Sequence, residues 1–174
     1  MKPAIALILG TLCLSGCAAS GAANDTTLAT ASLRDAAGKQ VATAIVTAAR
    51  GVVTLRIETS GLPQGTNGIH LHAVGRCDGP DFVSAGPHLN PHGRQHGRQN
   101  PAGTHLGDLP NLVIDASGRS ELRAELPGTL AENETALFDA DGSAIVLHAK
   151  ADDNVTDPSG NSGPRIACGV LTRG

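Results

Sequence analysis

Six of the chain's seven histidines fall between Ile69 and Asp108, as His70, His72, His88, His92, His96 and His105. A neutral imidazole presents a lone pair at physiological pH, which makes histidine the commonest metal ligand. That density within one Gly- and Pro-rich stretch points to a metal site. His70 and His72 are one residue apart in the run IHLH, which has strand character. Side chains alternate across a strand, so both imidazoles leave one face while Ile69 and Leu71 leave the other, towards a core. The later histidines share their segment with Gly86, Pro87, Pro91, Gly93, Gly97, Pro101, Gly103 and Gly107. No apolar period orders such a segment. A bound ion can, because metal binding is also folding free energy. His148 stands alone in a later apolar run.

The elements that must hold these residues read as strands. Val53, Leu55 and Ile57 alternate with Thr54, Arg56 and Glu58; Leu122, Ala124 and Leu126 alternate with Glu121, Arg123 and Glu125. Both are patterns of half-buried strands. Further strands are expected over 27–34, 40–48, 68–74, 111–116, 143–149 and 166–171. Ala37-Gly38, Arg50-Gly51, Ser117-Gly118 and Asp141-Gly142 supply turns between them. No helical period is evident beyond the N-terminal segment. About eight short strands with long loops argue an all-β antiparallel sandwich or barrel. Its core must be aliphatic, since Trp and Tyr are absent and Phe82 and Phe138 are the only aromatics.

Six separated segments, IHLH (69–72), SAGPHLNP (84–91), HG (96–97), HLGDL (105–109), VLHAKADD (146–153) and GNSGPRIACGV (160–170), carry a resemblance. In order and spacing they resemble the copper–zinc superoxide dismutases of the bacterial, exported type, over roughly Thr26 to Thr172. The resemblance implies an eight-stranded Greek-key barrel with long metal-binding and electrostatic loops. It also implies an oxidoreductase that converts superoxide to oxygen and hydrogen peroxide by alternate reduction and oxidation of copper, with zinc structural. By position, His70, His72, His88 and His148 are the implied copper ligands. His88, His96, His105 and Asp108 are the implied zinc ligands, with His88 as the bridge between the metals. Four nitrogens suit Cu(II), and three imidazoles with a carboxylate suit tetrahedral Zn(II). Asp152 is implied to anchor a copper ligand and a zinc ligand, His70 and His96, by hydrogen bonds. Arg165 is the implied catalytic arginine that docks superoxide beside the open copper position. Lys150, Arg94 and Arg98 could add positive potential. His92 falls where the family has no ligand and reads as an exposed loop histidine; Asp153 reads as a solvated loop carboxylate. Val83 stands where many bacterial members carry a basic residue, and Lys150 is the only basic residue in 149–164, so steering by charge is expected to be weaker. Two other readings of the chain are a metal-binding or copper-delivery module on the same fold, and an adhesive β-sandwich with incidental histidines. The first tends to lose a copper ligand or the arginine, and the second must explain eight site residues in register.

The N-terminus reads as an export signal. Lys2 gives a positive start and Ala4–Leu14 an apolar run, too short for the roughly 20 residues of a membrane span. Leu14-Ser15-Gly16-Cys17 resembles the lipobox of bacterial lipoproteins, with cleavage before a Cys17 that then carries lipid; an ordinary signal cleaved nearby is the other reading. The expected organisation is a signal over 1–16, a lipidated small-residue tether over 17–26 and one metal-binding domain over 27–174. Localisation is then periplasmic or cell-envelope, with the membrane touched only through the N-terminal lipid. The mature chain would hold 12 basic and 16 acidic residues, which gives no sign of nucleic-acid binding. Outside the signal and Cys17, the remaining cysteines are Cys77 and Cys168. Two cysteines in an exported domain suggest one disulfide, and the resemblance implies the same pairing. The subunit state, monomer or homodimer, leaves no mark in the sequence.

Overall fold

The computed structural model describes residues 25–174. The expected signal, Cys17 and the tether up to residue 24 lie outside the described residues. Among the described residues no helix is long and apolar enough to cross a membrane.

Ten strands and one short helix follow in order: β1 (Thr26–Asp35), β2 (Gln40–Ala49), β3 (Val52–Thr59), β4 (Gly65–Asn67), β5 (Ile69–His72), β6 (Leu112–Ile114), β7 (Ser120–Leu126), α1 (Leu130–Leu137), β8 (Ala144–His148), β9 (Arg165–Val170) and β10 (Thr172–Arg173). The main sheet is antiparallel, in the order β5-β8-β9-β1-β2-β3-β7, with β10 on β1. β4 pairs with β6 in a second, two-stranded sheet. The neighbours β3·β7 and β1·β9 are distant in sequence, as Greek-key connections require.

The alternating strands bury the expected face. Val53, Leu55 and Ile57 of β3 are fully buried, as are Leu33, Val46 and Leu147 from other strands. Ile69 and Leu71 join this core. The expected strand positions hold, and two features differ from expectation. The expected strand 68–74 is shorter, running Ile69–His72, and Gly68 separates it from β4, a three-residue strand that was not expected. The chain also contains a helix. Thr129 accepts from the Glu132 backbone N–H, and the Glu132 carboxylate accepts from the Thr129 backbone N–H, a capping box of the T-x-x-E kind. Two turns are too short to display a 3.6 period, so only the cap could have revealed it.

Phe82 packs in a small separate cluster with Ala85, Ala144, Val146 and Cys168. Cys77 and Cys168 form a disulfide with their Cα atoms 5.6 Å apart. This ties the loop after β5 to β9, the strand that begins with Arg165.

Candidate metal centre

β5 supplies His70 and His72, both fully buried. The face opposite Ile69 and Leu71 is therefore not open to solvent. The connection from β5 to β6 covers it and returns His88 and Asp108 to it. His88 pairs its backbone with His72 as an isolated bridge, and Asp108 does so with His70. β8, hydrogen-bonded to β5, ends on His148. Four imidazoles thus meet from three parts of the chain. Candidate ligand atoms of His70, His72, His88 and His148 lie within 4.8 Å of one another, and so do those of His88, His96, His105 and Asp108. His88 belongs to both groups.

The hydrogen bonds decide which nitrogen of each ring is free. His72 Nδ1–H donates to the Gly86 carbonyl at 2.9 Å, and His148 Nδ1–H to the Gly163 carbonyl at 3.1 Å. His70 Nε2–H donates to Asp152 Oδ2 at 2.7 Å. A carbonyl or carboxylate oxygen only accepts, so each bonded nitrogen carries the proton and the other a lone pair. The remaining atoms, His70 Nδ1 and Nε2 of His72, His88 and His148, are buried without a hydrogen-bond partner. Buried polar atoms are nearly always satisfied. Four orphaned lone pairs converging on one point fit a cation that accepts nitrogen donors.

The second group is built the same way. Nδ1 of His88, His96 and His105 lie 3.1, 2.9 and 3.1 Å from one atom, Asp108 Oδ1. Asp108 Oδ2 accepts instead from Gly97 N–H, Thr104 Oγ1–H and His105 N–H, each at 2.9 Å, which holds the carboxylate still. His96 Nε2–H donates to Asp152 Oδ1 at 3.0 Å, and His105 Nε2–H to the Arg94 carbonyl at 3.1 Å. Despite its short distance, His96 Nδ1 makes no hydrogen bond with Asp108. This nitrogen and that oxygen face a shared point, as three imidazoles and a carboxylate do around a tetrahedral dication. His88 has neither nitrogen anchored to a backbone carbonyl or to Asp152, which suits a ring that serves both groups.

Burial is the main cause acting on these rings. It pushes His70 down to about 3, against the pull of Asp152, His72 down to about 2 and His148 down to about 4. Burial lowers His88 as well. These nitrogens are unprotonated at neutral pH and open to a metal. Burial opposes ionisation of Asp108 and Asp152, but the imidazoles against them, His88 and His96 at Asp108 and His70 and His96 at Asp152, hold both well below the usual carboxylate range. In His96 burial is overridden by the Asp108 and Asp152 carboxylates, which carry it up to about 9. In the metal-free centre His96 is therefore a cation between two carboxylates, and a metal at Nδ1 would displace its second proton.

Arg165 opens β9 directly opposite His148 in the β8·β9 register. Its Nη1–H donates to the Phe82 carbonyl and its Nη2–H to the Gly86 carbonyl, both at 2.7 Å. The Gly86 carbonyl also accepts from His72, so one oxygen fixes both a ring of the first cluster and the guanidinium.

Other expected residues fall outside the two clusters. His92, Arg94, Arg98 and Lys150 are exposed; Arg94 contributes its carbonyl, not its charge. Val83 is 64% exposed beside the Arg165 anchor. Asp153 is exposed, as expected, but is not merely solvated. It accepts from Thr156 N–H, Val155 N–H, Thr156 Oγ1–H and Asn161 Nδ2–H, bonds that hold it down at about 2 and fix the turn after Asp152. Several site-building groups escaped the sequence reading. Asn111 clamps the Asp152 backbone from both sides, accepting from its N–H at 2.8 Å and donating to its carbonyl at 2.7 Å. The carbonyls of Gly86, Gly163 and Arg94 could not have been found, because a carbonyl has no residue signature.

A family model described as copper/zinc superoxide dismutase matches residues 37–171. The superoxide dismutase-like protein YojM of Bacillus subtilis is 44% identical over 120 residues, which is 67% of this chain and 61% of YojM. A copper–zinc superoxide dismutase of Caulobacter vibrioides is 40% identical over 149 residues, 82% of this chain and 84% of that protein. Among solved structures, a superoxide dismutase-like protein from Bacillus subtilis superposes with a TM-score of 0.77 at 37% identity, covering 84% of this chain and 100% of that one. The Cu/Zn superoxide dismutase from Brucella abortus does so with a TM-score of 0.65 at 28% identity, covering 82% and 98%.

Proposed function

The chain belongs to the copper/zinc superoxide dismutase family, and we propose that it is a working enzyme of that family, turning two superoxide anions and two protons into oxygen and hydrogen peroxide. The family uses copper and zinc. In this reading His70, His72, His88 and His148 hold copper, and His88, His96, His105 and Asp108 hold zinc. The observation that carries it is the set of unpartnered nitrogens on His70, His72, His88 and His148, all aimed at one buried point.

When bound, copper supplies the one-electron acceptor and donor that dismutation needs, and zinc a structural charge. The chain's own residues do the rest. Asp152, holding His70 and His96 at once, couples the geometry of the two sites. Arg165 keeps two donors on backbone carbonyls and turns its remaining N–H groups and its charge to an incoming anion. His88 Nε2 has no other partner and is the atom of this chain suited to carry one of the two protons. Export, with cleavage before Cys17 and lipid attached there, completes the proposal and agrees with the disulfide.

The test is superoxide decay on protein loaded with copper and zinc, with metal content determined on the same sample. A rate constant approaching the diffusional range of about 10⁸–10⁹ M⁻¹s⁻¹ is the expected result. YojM is named superoxide dismutase-like, which favours one other reading, a copper- and zinc-binding or copper-delivery module on this fold. Full metal occupancy without activity would establish that reading instead.

A further inference from the structure

His148 differs from the other nitrogen donors in how its backbone is held. His70 and His72 lie on β5 in unbroken register with β8, whereas His148 closes β8 where the β8·β9 register shifts between Leu147 and His148. The ladder alone does not fix a backbone at a bulge. The dipeptide of Asn67, the last residue of β4, and Gly68, which joins β4 to β5, grips this point. The Gly68 carbonyl accepts from His148 N–H at 2.8 Å, and Gly68 N–H donates to the Lys150 carbonyl at 2.7 Å. The Asn67 side-chain amide donates to the His148 carbonyl at 2.8 Å. Asn67 is 9% exposed, so little water can replace its amide. A Cβ on Gly68 would crowd Ser162, His70 and Asp152 at 2.9, 3.2 and 3.3 Å, so the chain passes there with no room for a side chain. The dipeptide belongs to the same run as His70 and His72. It therefore sets His148 relative to them through a path independent of the imidazole bond to Gly163.

We infer that Asn67 is a positioning residue for copper: its side-chain amide holds the His148 carbonyl, and through it sets where His148 Nε2 points among the four nitrogens. The inference rests on the copper assignment made above. It adds a residue that acts on one metal and not the other, since Asn67 makes no hydrogen bond with Asp108, His96, His105 or Asp152. Replacing a partner of this kind costs on the order of ten- to hundredfold in metal affinity.

The experiment compares wild type with Asn67→Asp and Asn67→Ala, each loaded with copper and zinc. The first keeps the size and puts an oxygen where the donor was; the second simply vacates the space. Copper affinity is measured by competition with a chelator, the Cu(II) site by its visible band and electron paramagnetic resonance parameters, and zinc by stoichiometry. The expected result is copper held at least about tenfold more weakly, with altered Cu(II) spectra and one zinc retained, in whichever variants fold. Asn67→Asp is expected to be the more damaged, as its carboxylate faces the carbonyl oxygen. A variant with a lowered melting temperature but wild-type Cu(II) spectra and copper affinity would overturn the inference, making Asn67 a structural residue only. A variant that loses zinc as readily as copper would also overturn it. Wild type that binds no copper at all would instead defeat the metal assignment, so the two failures are distinguishable. Should neither variant fold, Asn67→Ser, shorter and unable to reach the carbonyl, must show the same copper-selective loss or the inference falls.

Discussion

An imidazole that serves a metal with one nitrogen must dispose of the other, and at this centre the disposal is what selects the ligand atom. Asp152 does it for two rings at once, His70 Nε2 and His96 Nε2. Asp152→Asn keeps the shape but offers one acceptor and an NH2 group, so one of the two rings must face a donor. That ring loses its orientation. The expected outcome is metal binding weakened on the order of ten- to hundredfold, with both sites affected because both contain a ring bonded to Asp152. Metal titration monitored by optical absorption checks this; loss confined to one site would mean that the other ring is held by packing alone. The same logic separates what the sequence made legible from what it hid. Histidines announce a metal site by type and spacing, and the resemblance then named the seven residues of the two clusters and Asp152 in advance. Asn111, Asn67 and the carbonyls of Gly86 and Gly163 act through backbone geometry, which a list of residue types does not contain.

At the scale of elements, the long alternating strands were readable because one face of each is buried and the other wet. β4, β10 and α1 were not: two- and three-residue pairings and a two-turn helix give too few periods to count. The loop 149–164 carries the least periodic signal, yet it places Asp152 by a specific contact. Gly160 has φ of +61° and lies so close to the Asp152 carboxylate and His96 Nε2 that a Cβ there would overlap both. Gly160→Ala is therefore expected to do two things. It costs about 1–2 kcal/mol for a left-handed backbone, and it displaces the carboxylate that orients His70 and His96. Thermal unfolding of the metal-free and metal-loaded forms separates these effects. The loaded form should lose more stability than the metal-free one. An equal loss in both would show that only backbone strain was introduced.

Across the whole molecule the buried rings make the stability of the metal-free protein depend on pH with a definite sign. His70, His72 and His148 are depressed to about 3, 2 and 4 in the folded chain, against 6.5 when exposed. Between those values the unfolded chain binds more protons than the folded one, so stability falls as pH drops below about 6.5. The depressed carboxylates Asp108 and Asp152 act in the same direction at lower pH, since their contribution is present above the unfolded carboxylate value and is lost as they are protonated. His96 works oppositely. Raised to about 9, it contributes stability that is complete below about 6.5 and disappears as pH rises through 9. The metal-free protein should thus melt at its highest temperature near pH 6–7, with a steep acid limb from several groups and a shallower alkaline limb from one. A dication at either cluster competes with protons for these same lone pairs. Loading should therefore remove the alkaline limb, because His96 no longer has a proton to lose, and delay the acid limb until protons displace the metal. Melting temperatures from pH 4 to 9, with and without copper and zinc, provide the check. An alkaline limb that survives loading would mean that His96 keeps its proton and does not bind a metal.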